Sequence, residues 1–189
     1  MKIITISFRY KYKLVNPPNS KLSLDFFSSH MKQIIINTTI SVLSKEELSQ
    51  QEINLMIQAF DARSKAYAPY SKFTVGAAIL LDNGIVVQGS NQENAAYPSG
   101  LCAERVAIYY AGATYPDAKI VKMFITASPQ DRDLDEPIPP CGSCRQAIAE
   151  YEFKQDIPIE IFFMGAKGPI YKTDSLKNIL PLVFDKNHL

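Results

Sequence analysis

The sequence predicts an α/β fold, with helices on both faces of a central sheet of about five strands. Three observations predict it. Apolar runs of strand length (Phe73–Leu81, Ile120–Ala127 and Ile157–Met164) alternate with stretches that read as helices. Asp82-Asn83-Gly84 is a hairpin signal joining the first run to a short return strand, Ile85–Gln88. The chain has 189 residues, 47% hydrophobic and 21% charged, which suffices for one buried core in ordinary globular proportions.

Residues 1–43 carry basic and aromatic residues, an Asn16-Pro17-Pro18-Asn19-Ser20 break and no sustained period. They are expected to form a poorly ordered extension, with Met31 as an alternative initiator. The folded domain is expected over 44–189. Ser44-Lys45-Glu46-Glu47 matches a capping box that would open the first helix. Leu48, Ile53, Met56, Ile57 and Phe60 follow at roughly helical spacing, and Pro69 bounds the helix. After the hairpin comes a loop, Gly89–Gly100, then a helix, Cys102–Ala113. The strand Ile120–Ala127 precedes a proline-rich loop, Ser128–Pro140, and a helix, Cys141–Tyr151. Ile157–Met164 is the next strand. Pro169–Thr173 is a short strand and Ser175–Leu180 a last helical turn or two.

Composition narrows the function classes. A formal net charge of +1 produces no overall field for nucleic acid or an anionic membrane. No apolar run is long enough to span a bilayer. Arg9, Lys11 and Lys13 interrupt the apolar start and no cleavage site follows, so a cytoplasmic, reducing location is expected. The cysteines number three, an odd count that disfavours a disulfide framework.

Those three cysteines carry the chemistry. Cys102-Ala103-Glu104 is followed far downstream by Pro140-Cys141-Gly142-Ser143-Cys144. Three thiolates suit zinc, and three protein ligands leave one tetrahedral position for water. Cys141 and Cys144 are three apart at a helix start, and Cys102 also falls at one. Unpaired amides and the helix dipole favour thiolate there. Three thiolates outweigh one divalent cation, so the bound water would be less acidic than at a three-histidine site. Arg105 and Arg145 each directly follow a motif residue and are candidates to donate to the sulfurs; the competing reading is a solvated arginine. Glu104, beside an already anionic site, is better used as a proton shuttle than as a ligand. A redox Cys-x-x-Cys pair is the alternative for half of this pattern, but the glutamate and proline make the whole more specific than either half.

Cys102-Ala103-Glu104 with Pro140-Cys141-x-x-Cys144 resembles the zinc-dependent nucleoside deaminases. Cysteine as first ligand resembles the small homotetrameric cytidine deaminases. The similarity runs from about Ala62 to Phe184 and includes Tyr67-Ala68-Pro69-Tyr70-Ser71-Lys72-Phe73 and Asn91-Gln92-Glu93-Asn94-Ala95-Ala96-Tyr97. It implies a three-layer α/β/α sandwich with a mixed sheet, one Zn2+ per subunit, a nucleoside substrate and a homotetramer. The activity implied is hydrolysis of cytidine and deoxycytidine to uridine and deoxyuridine, in pyrimidine salvage. It further implies that Asn91 and Glu93 bind ribose, that Phe73 packs on the base and that the Ala103 amide holds the pyrimidine carbonyl. The Pro139 carbonyl would meet the leaving amine, Phe184 would come from a neighbouring subunit, and Tyr97 would lie at such a junction. Read without the resemblance, Asn91 is a turn residue, Phe73 a core residue and Phe184 a core cap. Three rivals stand beside this reading: a nucleic-acid-editing deaminase, a deaminase of another aminopyrimidine nucleoside, and a non-catalytic zinc-stabilised module. The absence of Lys and Arg from Gly89–Gly100 counts against the first.

Overall fold

The computed structural model describes residues 33–189 together with the backbone of 2–6. Among these, seven strands and three α-helices follow one another. They are β1 (Lys2–Ile6), β2 (Thr38–Leu43), α1 (Gln50–Ser64), β3 (Phe73–Leu81), β4 (Val86–Ser90), α2 (Ala103–Thr114), β5 (Ile120–Pro129), α3 (Gly142–Gln155), β6 (Glu160–Met164) and β7 (Ile170–Thr173). The strands make one mixed sheet in the order β1-β2-β7-β6-β5-β3-β4. Only β5 and β6 pair in parallel, and α3 forms the crossover that a parallel pair requires. β4 and β5 both run antiparallel to β3, and α2 carries the chain from one to the other.

Alternation along the strands builds a core on each face. Ala78, Leu80, Phe124, Phe162 and Met164 face Leu55, Met56 and Ala59 of α1. Their neighbours Ala77, Ile79, Met123, Ile125, Ile161 and Phe163 face Ala107 and Ile108 of α2 and Ile148 of α3. The central strands are buried on both sides, which is why they read as unbroken apolar runs. The result is the expected three-layer α/β/α sandwich. Two glycines set its closeness. A Cβ on Gly76 would lie 2.1 Å from the Ala59 carbonyl oxygen, and one on Gly89 would lie 2.4 Å from that of Ala103. The second approach seats the N-terminal end of α2 directly on β4.

The structure differs from the sequence expectation at two places. The Ser44/Glu47 box caps only a 3-10 turn, Lys45–Glu47, and Leu48 then turns extended and buries itself. The long helix starts at a second box, where Ser49 accepts from the Glu52 amide and Glu52 accepts from the Ser49 amide. Regular structure also begins before Ser44. β2 adds to the outer edge of β7, with Ser41 opposite Lys172 and Leu43 opposite Ile170. Ile40 packs on one core and Leu43 on the other. The sheet therefore has seven strands rather than about five, because 2–6 and 38–43 contribute two. Met1 and residues 7–32 of the expected extension lie outside the described residues.

Candidate active site

Two helix N-termini meet on one face of the sheet. Cys102 is the N-cap of α2 and Cys141 the N-cap of α3, both with extended backbone, and Cys144 sits in the first turn of α3. The Cys141 sulfur accepts the Cys144 amide at 3.4 Å. The sulfurs of Cys102 and Cys141 are 3.8 Å apart and those of Cys141 and Cys144 3.3 Å apart, and all three lie within 4.8 Å of one another. All three thiols are free. Ligands at zinc–sulfur distances of about 2.3 Å around a tetrahedron stand about 3.8 Å apart, so this trio fits zinc. Among the described residues no fourth Cys, His, Asp or Glu joins the cluster. One corner of the tetrahedron thus faces no ligand from the described residues.

The surroundings bias the protons. The neighbouring Cys144 thiol foremost, together with Arg105, outweighs burial and brings the Cys102 thiol down to about 5. The same pairing, with burial, pushes the Cys144 thiol up. The Arg105 Nη2 stands 3.8 Å from the Cys102 sulfur. Arg145 does not do the same. Its Nε donates to the Pro140 carbonyl at 2.7 Å and its Nη1 to the Ile179 carbonyl at 2.9 Å. It braces the residue before Cys141 instead of a sulfur, a correction to the sequence expectation. The cause is the C-terminal segment, which folds back to offer a carbonyl.

Glu104, in the first turn of α2, is 4% exposed. Burial pushes its carboxyl up, with the Cys102 charge adding to the effect. Its Oε2 has no hydrogen-bond partner among the described residues. A buried carboxyl oxygen without a partner is costly unless a ligand supplies one.

Glu104 and Cys102 open onto a cavity of about 710 Å³. Phe73, Asn91, Glu93 and Tyr97 line it, with Ile125, Ala127 and Ile138 as apolar walls and Pro139 beside Cys141. Phe73 is thus a wall of the cavity rather than a core residue. Asn91 is doubly held, accepting from the Val75 amide at 2.8 Å and donating to the Phe73 carbonyl at 2.9 Å. Glu93 accepts from the Tyr70 amide at 2.9 Å, the Ser71 amide at 3.2 Å and the Ser71 hydroxyl. The Ser71 hydrogen bond foremost holds its carboxyl below the usual range. Ala103 is fully buried at the start of α2, where first-turn amides have no intrahelical partner. Tyr97 is 76% exposed at the rim, edge-on to Tyr70. Phe184 does not reach this cavity: it is exposed and stacks on His188. Sequence reasoning assigned no role to Tyr70 or Ser71, although both stand in the Tyr67–Phe73 run it singled out.

A family model for the cytidine and deoxycytidylate deaminase zinc-binding region matches residues 49–158. The cytidine deaminase of Sporosarcina psychrophila is 38% identical over 135 residues, 71% of this chain and 92% of that protein. The cytidine deaminase of Halalkalibacterium halodurans is 44% identical over 98 residues, 51% of this chain and 68% of that one. Among solved structures, the cytidine deaminase from Burkholderia pseudomallei superposes with a TM-score of 0.62 at 34% identity, covering 72% of this chain and 100% of that chain. The matched span holds the sulfur trio, Glu104 and most of the cavity wall, and the chain belongs to the family of zinc-dependent cytidine and deoxycytidylate deaminases.

Proposed function

We infer that the protein is a zinc-dependent hydrolase that converts cytidine and water to uridine and ammonia, and deoxycytidine likewise to deoxyuridine. The observation that carries this is a sulfur trio with no fourth ligand among the described residues, beside a buried carboxyl oxygen that has no partner among them. Zinc, when bound, supplies Lewis-acid chemistry that acidifies a water for attack on the C4 of the base.

The chain's own residues do the rest. Glu104 takes the proton of the attacking water, delivers it to ring N3 and carries a second to the departing amine. Its burial keeps bulk water from competing for these protons. Phe73 packs on the base, the Ala103 amide holds the pyrimidine carbonyl and the Pro139 carbonyl accepts from the leaving amine. Asn91 and Glu93 hold the ribose hydroxyls. An anionic Glu93 repels a phosphate, which favours a nucleoside over a nucleotide or polynucleotide. Tyr97 and a neighbouring copy's Phe184 close the rim, in a homotetramer that works in the cytoplasm. Among the described residues no helix is long and apolar enough to cross a membrane.

Ammonia release from cytidine, deoxycytidine and cytosine tests the reading. Turnover is expected on both nucleosides and not on the free base. Glu104→Gln should lower kcat about 10²–10⁴-fold while one zinc per chain remains bound. Loss of the metal in that variant would make Glu104 a ligand and defeat its assigned role. A zinc-loaded wild type inert on both nucleosides would defeat the activity.

A further inference from the structure

The Glu93 carboxylate is gripped before any substrate arrives. Its Oε2 takes two consecutive amides, from Tyr70 at 2.9 Å and Ser71 at 3.2 Å, and its Oε1 takes the Ser71 hydroxyl. The Ser71 hydroxyl oxygen in turn accepts the Phe73 amide at 3.0 Å. One hydroxyl therefore links the carboxylate assigned to the sugar with the aromatic assigned to the base. Tyr70, Ser71, Phe73 and Glu93 all line the same cavity.

The turn that makes this grip is held in an unfavourable backbone shape. Lys72 has φ +56°, in the left-handed region that a lysine seldom occupies. Its amide donates to the Ala68 carbonyl at 3.2 Å and its carbonyl accepts from the Gln130 amide at 2.8 Å, so it is pinned from both sides. Such a conformation persists where the surroundings over-determine it, and it collects at ligand clamps. Here it curls the Tyr70 and Ser71 amides and the Ser71 hydroxyl onto one carboxylate.

A carboxylate has roughly four lone-pair positions. Three are filled by the turn, two on Oε2 and one on Oε1, which leaves one on Oε1 for a substrate hydroxyl. The single proton of Ser71 is already given to Glu93, so Ser71 has none to donate to the sugar itself. We propose, building on the assignment of Glu93 to the ribose, that Ser71 is a positioning residue for sugar recognition. It fixes the direction of the last acceptor site on Glu93 and holds that site in register with Phe73.

The test compares kcat and KM for wild type, Ser71→Ala and Ser71→Thr on cytidine and on 2′,3′-dideoxycytidine, which lacks the sugar hydroxyls. Ser71 lies in an exposed turn, so both variants are expected to fold. Ser71→Ala should raise KM for cytidine about tenfold, the scale of one hydrogen bond to a charged group, with kcat within about twofold. On the dideoxynucleoside the same variant should lose less than about twofold in kcat/KM. Ser71→Thr, which keeps the hydroxyl, should return the cytidine KM to within about threefold of wild type. Combined with Glu93→Gln, Ser71→Ala should add little to the loss from Glu93→Gln alone. An unchanged cytidine KM, or an equal loss on both substrates, overturns the proposal. A wild type inert on cytidine removes the function as well, and so differs from an active wild type whose Ser71→Ala penalty ignores the sugar.

Discussion

At the residue scale, charge is the problem the site has to solve. Three sulfurs and Glu104 crowd one corner, and among the described residues Arg105 is the cation that touches a sulfur. Arg105→Gln keeps a donor but removes the charge. It is expected to weaken zinc retention about 10–100-fold, measured by competition with a chromogenic chelator. Retention equal to wild type would place Arg105 outside the metal's support. The two candidate arginines could not be told apart beforehand. Arg105 stands three residues after one N-cap cysteine and Arg145 four after the other, and both spacings return to the same helix face. What separates them is the Ile179 carbonyl, delivered from 34 residues beyond Arg145, a contact that local spacing does not encode. The cysteines were legible because few residue types bind zinc and this chain has only three of them.

At the element scale, α1 is tied to the sheet by charge as well as by apolar packing. Glu52, in its first turn, meets Lys122 of β5 at 2.8 Å, and Lys122 meets Glu160 of β6 at 2.8 Å. Burial opposes the Glu52 carboxylate, but Lys122 and the Ser49 donors outweigh it and hold it at about 2. The folded carboxyl thus lies below its ordinary value of 4.5, so protons favour the unfolded chain. Its stabilisation is full above about pH 4.5 and fades as pH falls toward about 2. Glu52→Gln should cost about 2 kcal/mol at pH 7 in denaturant unfolding, and the gap to wild type should close on acidification. A gap independent of pH would show that the pair contributes through packing alone. β2 makes a second element-scale prediction. A chain begun at Met31 loses β1 but keeps β2 and its packing, whereas one begun at Ser44 also loses β2 with the Ile40 and Leu43 packing and bares the β7 edge. The shorter chain should be about 2 kcal/mol less stable than the one begun at Met31 and should aggregate more on gel filtration. β2 went unread because Thr38–Leu43 is short and stabilised by a partner, β7, more than a hundred residues away. The tandem Ser-x-x-Glu boxes failed differently: both are valid caps, and burial of Leu48 chose between them.

At the scale of the whole molecule, the cavity is walled by this chain yet open at a rim where Tyr97 stands 76% exposed. Phe184 is 59% exposed and does not line its own chain's cavity, as the proposed shared rim requires. Light scattering should give a mass of four 21.2 kDa chains, and Phe184→Ala should raise KM for cytidine several-fold. A monomer with full activity would refute the shared rim. The sequence by itself determined the sandwich, the hairpin and the three-cysteine cluster that fits zinc, and it singled out Glu104 as a candidate, because periodicity, turn chemistry and ligand type are properties of neighbouring residues. Only the tertiary structure decided which arginine reaches sulfur, which box starts α1, that β2 and β1 extend the sheet beyond β7, and that Ser71 grips Glu93. Each of those depends on groups far apart in the chain meeting within hydrogen-bond or packing range, and that distance is set by how the layers stack.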